Sequence, residues 1–355
     1  MMNPILKNEE QAGFALKNLY RRYGYIPYKM SRFEAYDLYV RNKDFLVSDQ
    51  IITFSDRSGR LLALKPDVTL SIVKNAPEEP DVVQKVYYQE NVYRDYREIP
   101  QAGLECVGDL GDYEIAEVVL LAAKSLQLLG GRWVLDISHM GLLAAVLEGS
   151  SLDREEQKQA MEYMHRKNVH QLQALCSGPV REKLTAIAAC RGGRDALEQL
   201  ETVLTADAEV QALTQLKGLW KILEASGCAD SVRLDFSVGN SMRYYSGVVF
   251  RGYLEGIPAS ILSGGQYDKL PRKMGRNAKA IGFAVYLDLL ENRNWEEDAF
   301  DVDTLILHDG SAEPQVLMAA AEEASGKGTV LVTRELPKMR NWKQLLRFEK
   351  GAWVR

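Results

Sequence analysis

The sequence predicts a mixed α and β protein whose strands and helices come in separate runs. Three observations predict it. Short stretches rich in β-branched and aromatic residues, bounded by turn residues, fill residues 50–110 and return over 232–265. Between them, over residues 141–226, alanine, leucine and long charged residues recur at helical spacing. The tail opens with a βα pattern, "VDTLILHDG" followed by "PQVLMAAAEEASGKG" and then "TVLVTREL".

Each element has its own local reason. Residues 9–23 carry Ala12, Phe14, Ala15, Leu16, Leu19 and Tyr20 at helical spacing, and Gly24 supplies the stop. "QIITFSDRSGRLLALKPDVTLSIVKN" reads as a strand, a turn over Asp56 to Gly59, a second strand and a helix opened at Pro66 or Asp67. "VVQKVYYQENVYRD" and "QAGLECVGDL" are two strands flanking a short polar turn. The helical run over 141–226 reads as an inserted subdomain. Strands return at "VRLDFSV", "YYSGVVFRGYL" and "IPASILSGG". The next segment, "SGGQYDKLPRKMGRNAKAIGFAVYLDLL", opens on a Gly-Gly turn and closes in an apolar helix over 284–290. An acidic, featureless stretch at 292–301 is the expected linker between a main domain, 1–295, and a tail segment, 301–355.

Composition narrows the function. With 355 residues, 26% charged and 46% hydrophobic, the chain reads as an ordinary globular protein large enough for two domains or a domain with an insertion. A formal charge of -5 and a pI near 5.6 give no global attraction to nucleic acid. Cys106, Cys176, Cys190 and Cys228 show no metal-ligand spacing with each other or with histidine, so no metal is expected and the thiols read as buried and reduced. No apolar run approaches about 20 residues and the first residues lack an apolar leader core. A cytoplasmic protein without membrane contact is the expectation.

Four segments offer chemistry. In "LALKPDVT", Asp67 and Thr69 follow a strand, where a carboxylate and a hydroxyl can face a ligand ammonium; the alternative is that Asp67 only caps the next helix, a contribution of about 1 kcal/mol. In "QAGLECVGDL", even spacing puts Gln101, Gly103 and Glu105 on one strand face, suited to a small cation or to solvent. "SVGNSMRYYSGVVF" puts Tyr244 and Tyr245 on opposite faces of a strand, so that one of them at most lines a given pocket. "SGGQYDKL" offers Tyr267 as a pocket hydroxyl beside glycines that permit close backbone approach.

In this order the four segments resemble the histidyl-tRNA synthetase family of class II aminoacyl-tRNA synthetases, over residues 5–292. "FSDRSGRLLALKPDVT" is similar to that family's strand-turn-strand ending in Arg-Pro-Glu-Gly-Thr. "VYRDYREIPQAGLECVGD" resembles its second class motif, "SMRYYSGVVF" its Leu-Asp-Tyr-Tyr segment, and "SGGQYDKL" with "AIGFAVYLDLL" its third motif. The resemblance implies an α+β fold: a largely antiparallel sheet flanked by helices, a helical insertion and a small C-terminal α/β piece. It places Asp67, Thr69, Gln101 and Glu105 at the substrate's α-amino group and backbone, Tyr245 and Tyr267 around the imidazole, and Arg94 at the carboxylate.

The adenylation chemistry does not carry over. A site that handles ATP needs fixed positive charge where negative charge develops. Leu289 stands where the third motif places its arginine, Asn240 where the histidine-specific motif places another, and Asp95 and Tyr96 replace the loop that covers ATP. The tail is shorter than the family's anticodon-binding domain, so tRNA is not an expected partner. A family member that keeps the histidine pocket and discards catalysis resembles the regulatory subunits of ATP phosphoribosyltransferase. That resemblance implies no catalytic residue and no cofactor. It implies a short catalytic subunit as partner, L-histidine as feedback effector, and a homodimer through residues 9–40 within a larger hetero-oligomer. Two rival readings stay open: a synthetase with displaced arginines, and an amino-acid or uncharged-tRNA sensor.

Overall fold

The computed structural model describes residues 7–46, 50–77, 82–239, 244–290, 300–338 and 340–354. The chain divides into two compact units, residues 1–293 and 294–355.

The first unit starts with α1 (Asn8–Arg22), whose spacing puts Ala12, Leu16 and Tyr20 on the buried side. β1 (Ile26–Pro27) follows. β2 (Phe33–Ala35), α2 (Tyr36–Arg41), β3 (Thr53–Ser55) and β4 (Leu61–Leu64) come next, and β2, β4 and β3 make a three-stranded antiparallel sheet. Asp56 tightens the β3–β4 turn by accepting from the Ser58 and Arg60 backbone N–H groups. The next helix, α3, spans Thr69–Lys74, two or three residues later than its expected start at Asp67 or Pro66. The delay lets Asp67 stay outside the helix and accept from the Leu70 N–H at 2.9 Å.

β5 (Gln84–Arg94) and β6 (Arg97–Gly108) form a long antiparallel ribbon joined by the two-residue turn Asp95–Tyr96. α4 (Asp112–Leu129) and β7 (Trp133–His139) follow, and neither stands out in the sequence. α4 buries residues all around, from Ile115 to Leu129, so its apolar stripe blurs. The helical run is α5 (Met140–Glu148), α6 (Arg154–His165), α7 (Val169–Leu175), α8 (Gly178–Ala189), α9 (Arg194–Glu201) and α10 (Asp207–Ala225). β8 (Val232–Leu234), β9 (Val248–Leu254), β10 (Leu262–Gln266), α11 (Lys269–Lys273) and β11 (Lys279–Tyr286) complete the unit.

Eight strands make the main sheet, in the order β1-β5-β6-β11-β10-β9-β7-β8. Its inner pairings are antiparallel and the outer pairs, β1 with β5 and β7 with β8, are parallel. One core cluster lies between this sheet, α1, α4 and the helical run; a second joins α3, the three-stranded sheet and the far side of β5. This is the α+β architecture expected, and it leaves the sheet face bearing Gln101 and Glu105 free to hold a site.

Three local expectations fail. Residues 284–286 belong to β11, and only Leu287–Leu290 is helical, as a 3₁₀ turn. A short apolar run reads alike as strand or helix, and here the sheet decides. Gly264 and Gly265 lie inside β10 rather than in a turn. Tyr244 and Tyr245 precede β9, so strand alternation does not separate their side chains.

The second unit is a four-stranded sheet in the order β13-β12-β14-β15, built from β12 (Val302–His308), α12 (Pro314–Ser325), β13 (Val330–Thr333), β14 (Trp342–Glu349) and β15 (Ala352–Val354). The βα pattern is as the sequence predicts; β14 and β15 are additional. The expected linker at 292–301 lies outside the described residues except for its last two. Among the described residues no helix is long and apolar enough to cross a membrane, and no cluster of three His, Cys, Asp or Glu side chains could hold a metal ion. All four cysteines are free and buried.

Candidate functional site

All seven residues singled out in the sequence line one pocket of about 470 Å³. Asp67 and Thr69 come from the junction of β4 and α3, Arg94 from the end of β5, Gln101 and Glu105 from β6, Tyr245 from just before β9 and Tyr267 from just after β10. β6 aligns Gln101 and Glu105 because alternate side chains share a face. Both are buried, 4% and 2% exposed, which excludes a solvated outer face. Gly103 between them is required: a Cβ there would collide with the Tyr88 hydroxyl and the Phe283 carbonyl.

Glu105 is the hub. The Thr69 hydroxyl donates to its Oε1 at 2.7 Å and the Tyr267 hydroxyl donates to its Oε2. Its carboxyl lies over Gly282, its register partner on β11, in the space that a Cβ would take. Burial pushes the Glu105 carboxyl up to about 8, and Asp67 adds to the rise, against the lowering influence of the two hydroxyl bonds. Burial also pushes Asp67 up, opposed by the Leu70 N–H and by Arg94. Asp67 thus both caps α3 and lines the pocket.

The apolar wall is aromatic. The rings of Tyr244 and Tyr245 meet edge to face at 4.6 Å, and Tyr244 lies 5.9 Å from Tyr267 and 5.6 Å from Phe45. Both Tyr244 and Tyr245 line the pocket, which corrects the expectation that only one could. Among the described residues, Arg94 Nε and Gln101 Nε2 are buried without a hydrogen-bond partner. Buried donors without partners are costly, so these are the positions at which an acceptor-bearing ligand repays the fold. Two buried carboxyls, two waiting donors and a wall of tyrosines suit a small ligand with a cationic end, an anionic end and an aromatic body.

Sequence reasoning missed Tyr88, Tyr244, Arg251 and Gly282 as pocket residues. Gly282 had a readable signal, a glycine interrupting the apolar run "AIGFAVY". Arg251 is a cation inside the apolar strand "VVFRGYL", which also could have been noticed. Leu289 lies in the 3₁₀ turn and packs against the main core. Asn240 lies outside the described residues.

With the geometry in place, comparison with known proteins gives the lineage. The sequence profile described as histidyl-tRNA synthetase matches residues 3–290. The chain belongs to the histidyl-tRNA synthetase family. Within reach of that family, a curated relative from Bacillus pumilus named ATP phosphoribosyltransferase regulatory subunit is 28% identical, covering 95% of this chain and 90% of its own. Another of the same name from Clostridium kluyveri is 28% identical over 79% of this chain and 77% of its own. A crystal structure described as an ATP phosphoribosyltransferase regulatory subunit/histidyl-tRNA synthetase from Bacillus halodurans has a TM-score of 0.78 at 24% identity, covering 99% of this chain and 97% of that one. An ATP phosphoribosyl transferase complex from Thermotoga maritima contains a chain with a TM-score of 0.62 at 19% identity, covering 80% of this chain and 98% of that one.

Proposed function

We propose that this family member is a non-catalytic regulatory subunit of ATP phosphoribosyltransferase, acting in the cytoplasm in the first step of histidine biosynthesis. It activates a short catalytic subunit, binds L-histidine in the pocket described above and transmits its feedback inhibition. The names carried by curated relatives of nearly the same length support the assignment. The observation that carries it is a split within the site. The groups suited to an amino acid converge in one pocket, while position 289 bears a partly buried leucine packed against the core and the covering loop is a two-residue turn.

In this reading Glu105 and Asp67 hold the α-ammonium, Arg94 and Gln101 take the carboxylate, and the tyrosines enclose the imidazole. Thr69 and Tyr267 orient Glu105. No side chain moves a proton to or from a reacting bond, and no cofactor is needed. Feedback requires only that histidine bind one assembly more tightly than another, a coupling typically of about 1 to 3 kcal/mol. The regulatory chain forms a homodimer through residues 9–40 within the hetero-oligomer, and residues 301–355 are a trimmed remnant of the family's C-terminal domain.

Calorimetry with L-histidine on the wild-type chain and on Glu105→Ala, beside histidine-dependent pyrophosphate exchange into ATP, tests this function. Binding that Glu105→Ala abolishes, with no exchange, is the expected result. Exchange above background would make the chain a working synthetase.

A further inference from the structure

The pocket has a second end that histidine leaves empty. On the sheet face that carries Gln101 and Glu105, polar side chains continue across the next three strands. Tyr286 of β11 is the register partner of Gln101, and its hydroxyl meets the Ser263 hydroxyl of β10 at 2.6 Å. Ser263 in turn is the register partner of Arg251 on β9. All four side chains line the cavity, and the floor between them is low, because Ala284 stands between Gly103 and Ser263. At about 4.8 Å from strand to strand the row is roughly 14 Å long. Gln101 is buried, whereas Tyr286, Ser263 and Arg251 are half-buried, so this end of the cavity is reached from solvent.

The row offers donors without a matching acceptor. Among the described residues Arg251 makes no ion pair: its register partner on β7, Asp136, gives both carboxylate oxygens to Arg233, at 2.8 and 3.0 Å. Of the two bonded hydroxyls, one donates to the other, which keeps its own proton to give. Gln101 Nε2, unpartnered, carries two N–H groups, so a bond to the histidine carboxylate leaves one over. A guanidinium drawn partly out of water without a counter-charge is unfavourable. Histidine does not supply that charge: its carboxylate sits on the same carbon as its ammonium, and with the ammonium at Glu105 and Asp67 and the carboxylate at Arg94 and Gln101, nothing in it answers Arg251. The cavity of about 470 Å³ is of a size that takes ligands larger than a free amino acid. Nor is 251 one of the positions, 94, 240 and 289, at which the family resemblance places an arginine.

We propose that Arg251, Ser263 and Tyr286 form a phosphate subsite beside the histidine position, for inorganic phosphate or for the phosphate monoester of a second small molecule. A monoester presents three acceptor oxygens. The guanidinium fork takes two of them in parallel bonds, and the free hydroxyl of the Ser263–Tyr286 pair takes the third. That histidine is the neighbour rests on the function proposed above; the subsite itself rests on the row of side chains.

The test is calorimetry at constant ionic strength with inorganic phosphate and with ribose 5-phosphate, each with and without saturating L-histidine, on the full chain as wild type, Arg251→Met and Ser263→Asp. Arg251→Met breaks no ion pair, and Ser263→Asp fills the subsite with an anion of the chain's own, so the two variants remove phosphate binding by independent routes. Expected is phosphate binding to the wild type whether or not histidine is present, weakened more than about tenfold by Arg251→Met and lost in Ser263→Asp. Tighter binding of ribose 5-phosphate than of the free ion assigns the subsite to a monoester, and equal or weaker binding assigns it to inorganic phosphate. Phosphate that fails to bind the wild type, binds Arg251→Met equally well or is displaced by histidine overturns this inference and leaves the histidine reading in place. Arg251→Met that costs histidine as much affinity as phosphate makes Arg251 a holder of the histidine carboxylate and also overturns it. A wild-type chain that holds phosphate through Arg251 and binds no histidine supports the subsite and overturns the function proposed above.

Discussion

Histidine binding should release a proton, and Glu105→Gln should stop it. In the empty pocket Glu105 titrates at about 8, driven up chiefly by burial. At pH 7, one unit below, only about one molecule in ten carries the ionised carboxylate, and a cationic ammonium that requires it binds about tenfold more weakly than at full ionisation, a difference of about 1.4 kcal/mol. Affinity therefore rises about fivefold from pH 7 to pH 8, where Glu105 is half ionised, and levels off about one unit higher. Calorimetry at pH 7 in buffers of different ionisation enthalpy reads the release directly, approaching one proton per histidine. Glu105→Gln keeps the shape and removes the charge, so it lowers affinity and flattens the slope. Stability has the same origin. A carboxyl raised above its unfolded value of 4.5 stabilises the fold fully below that value, and the contribution is lost as pH rises through about 8. Histidine binding that is flat in pH, with no proton released and the same profile in Glu105→Gln, would refute the reasoning.

Other perturbations follow from single contacts. Gly282→Ala places a Cβ against Glu105 Oε2 and 2.5 Å from the Leu104 carbonyl, which cannot retreat. Overpacking of this kind costs about 1–3 kcal/mol, so differential scanning fluorimetry should show a lowered melting point together with lost histidine binding. Thr69→Val removes the 2.7 Å bond to Glu105 Oε1 and with it a lowering influence on that carboxyl. The midpoint of the pH–affinity curve should move up, and affinity at pH 7 should fall by about tenfold or more, the worth of one hydrogen bond to a charged group, about 1.5–3 kcal/mol. Lys65, 1% exposed, pairs with Glu90 at 2.7 Å beside the ribbon. Lys65→Met leaves Glu90 uncompensated and should cost about 3 kcal/mol in urea unfolding.

Much of the site was legible because its residues obey local rules. Gln101 and Glu105 share a face by strand alternation, and the turn at Asp95–Tyr96 is too short to be anything but a hairpin. What failed was periodicity applied past its reach. α4 is buried on all sides, so its apolar stripe does not show, and β7 sits between β9 and β8 in the sheet interior. The run "AIGFAVYLDLL" is apolar enough to be helix or strand, and its pairing with β6 and β10, which no local signal encodes, makes most of it strand. Tyr244 and Tyr245 were placed by strand alternation although the strand starts three residues later, at Val248. The unpartnered donors of Arg94 and Gln101 are properties of the assembled pocket, and sequence spacing gives no hint of them.

The most direct measurement is phosphoribosyl-ATP formation by the short catalytic subunit from the same organism, with and without this chain, while L-histidine is titrated. The account predicts a rate that appears only when both chains are present and falls as histidine rises, with the inhibition weakened in Glu105→Gln. A catalytic subunit that is folded and yet gains no activity from this chain would contradict it.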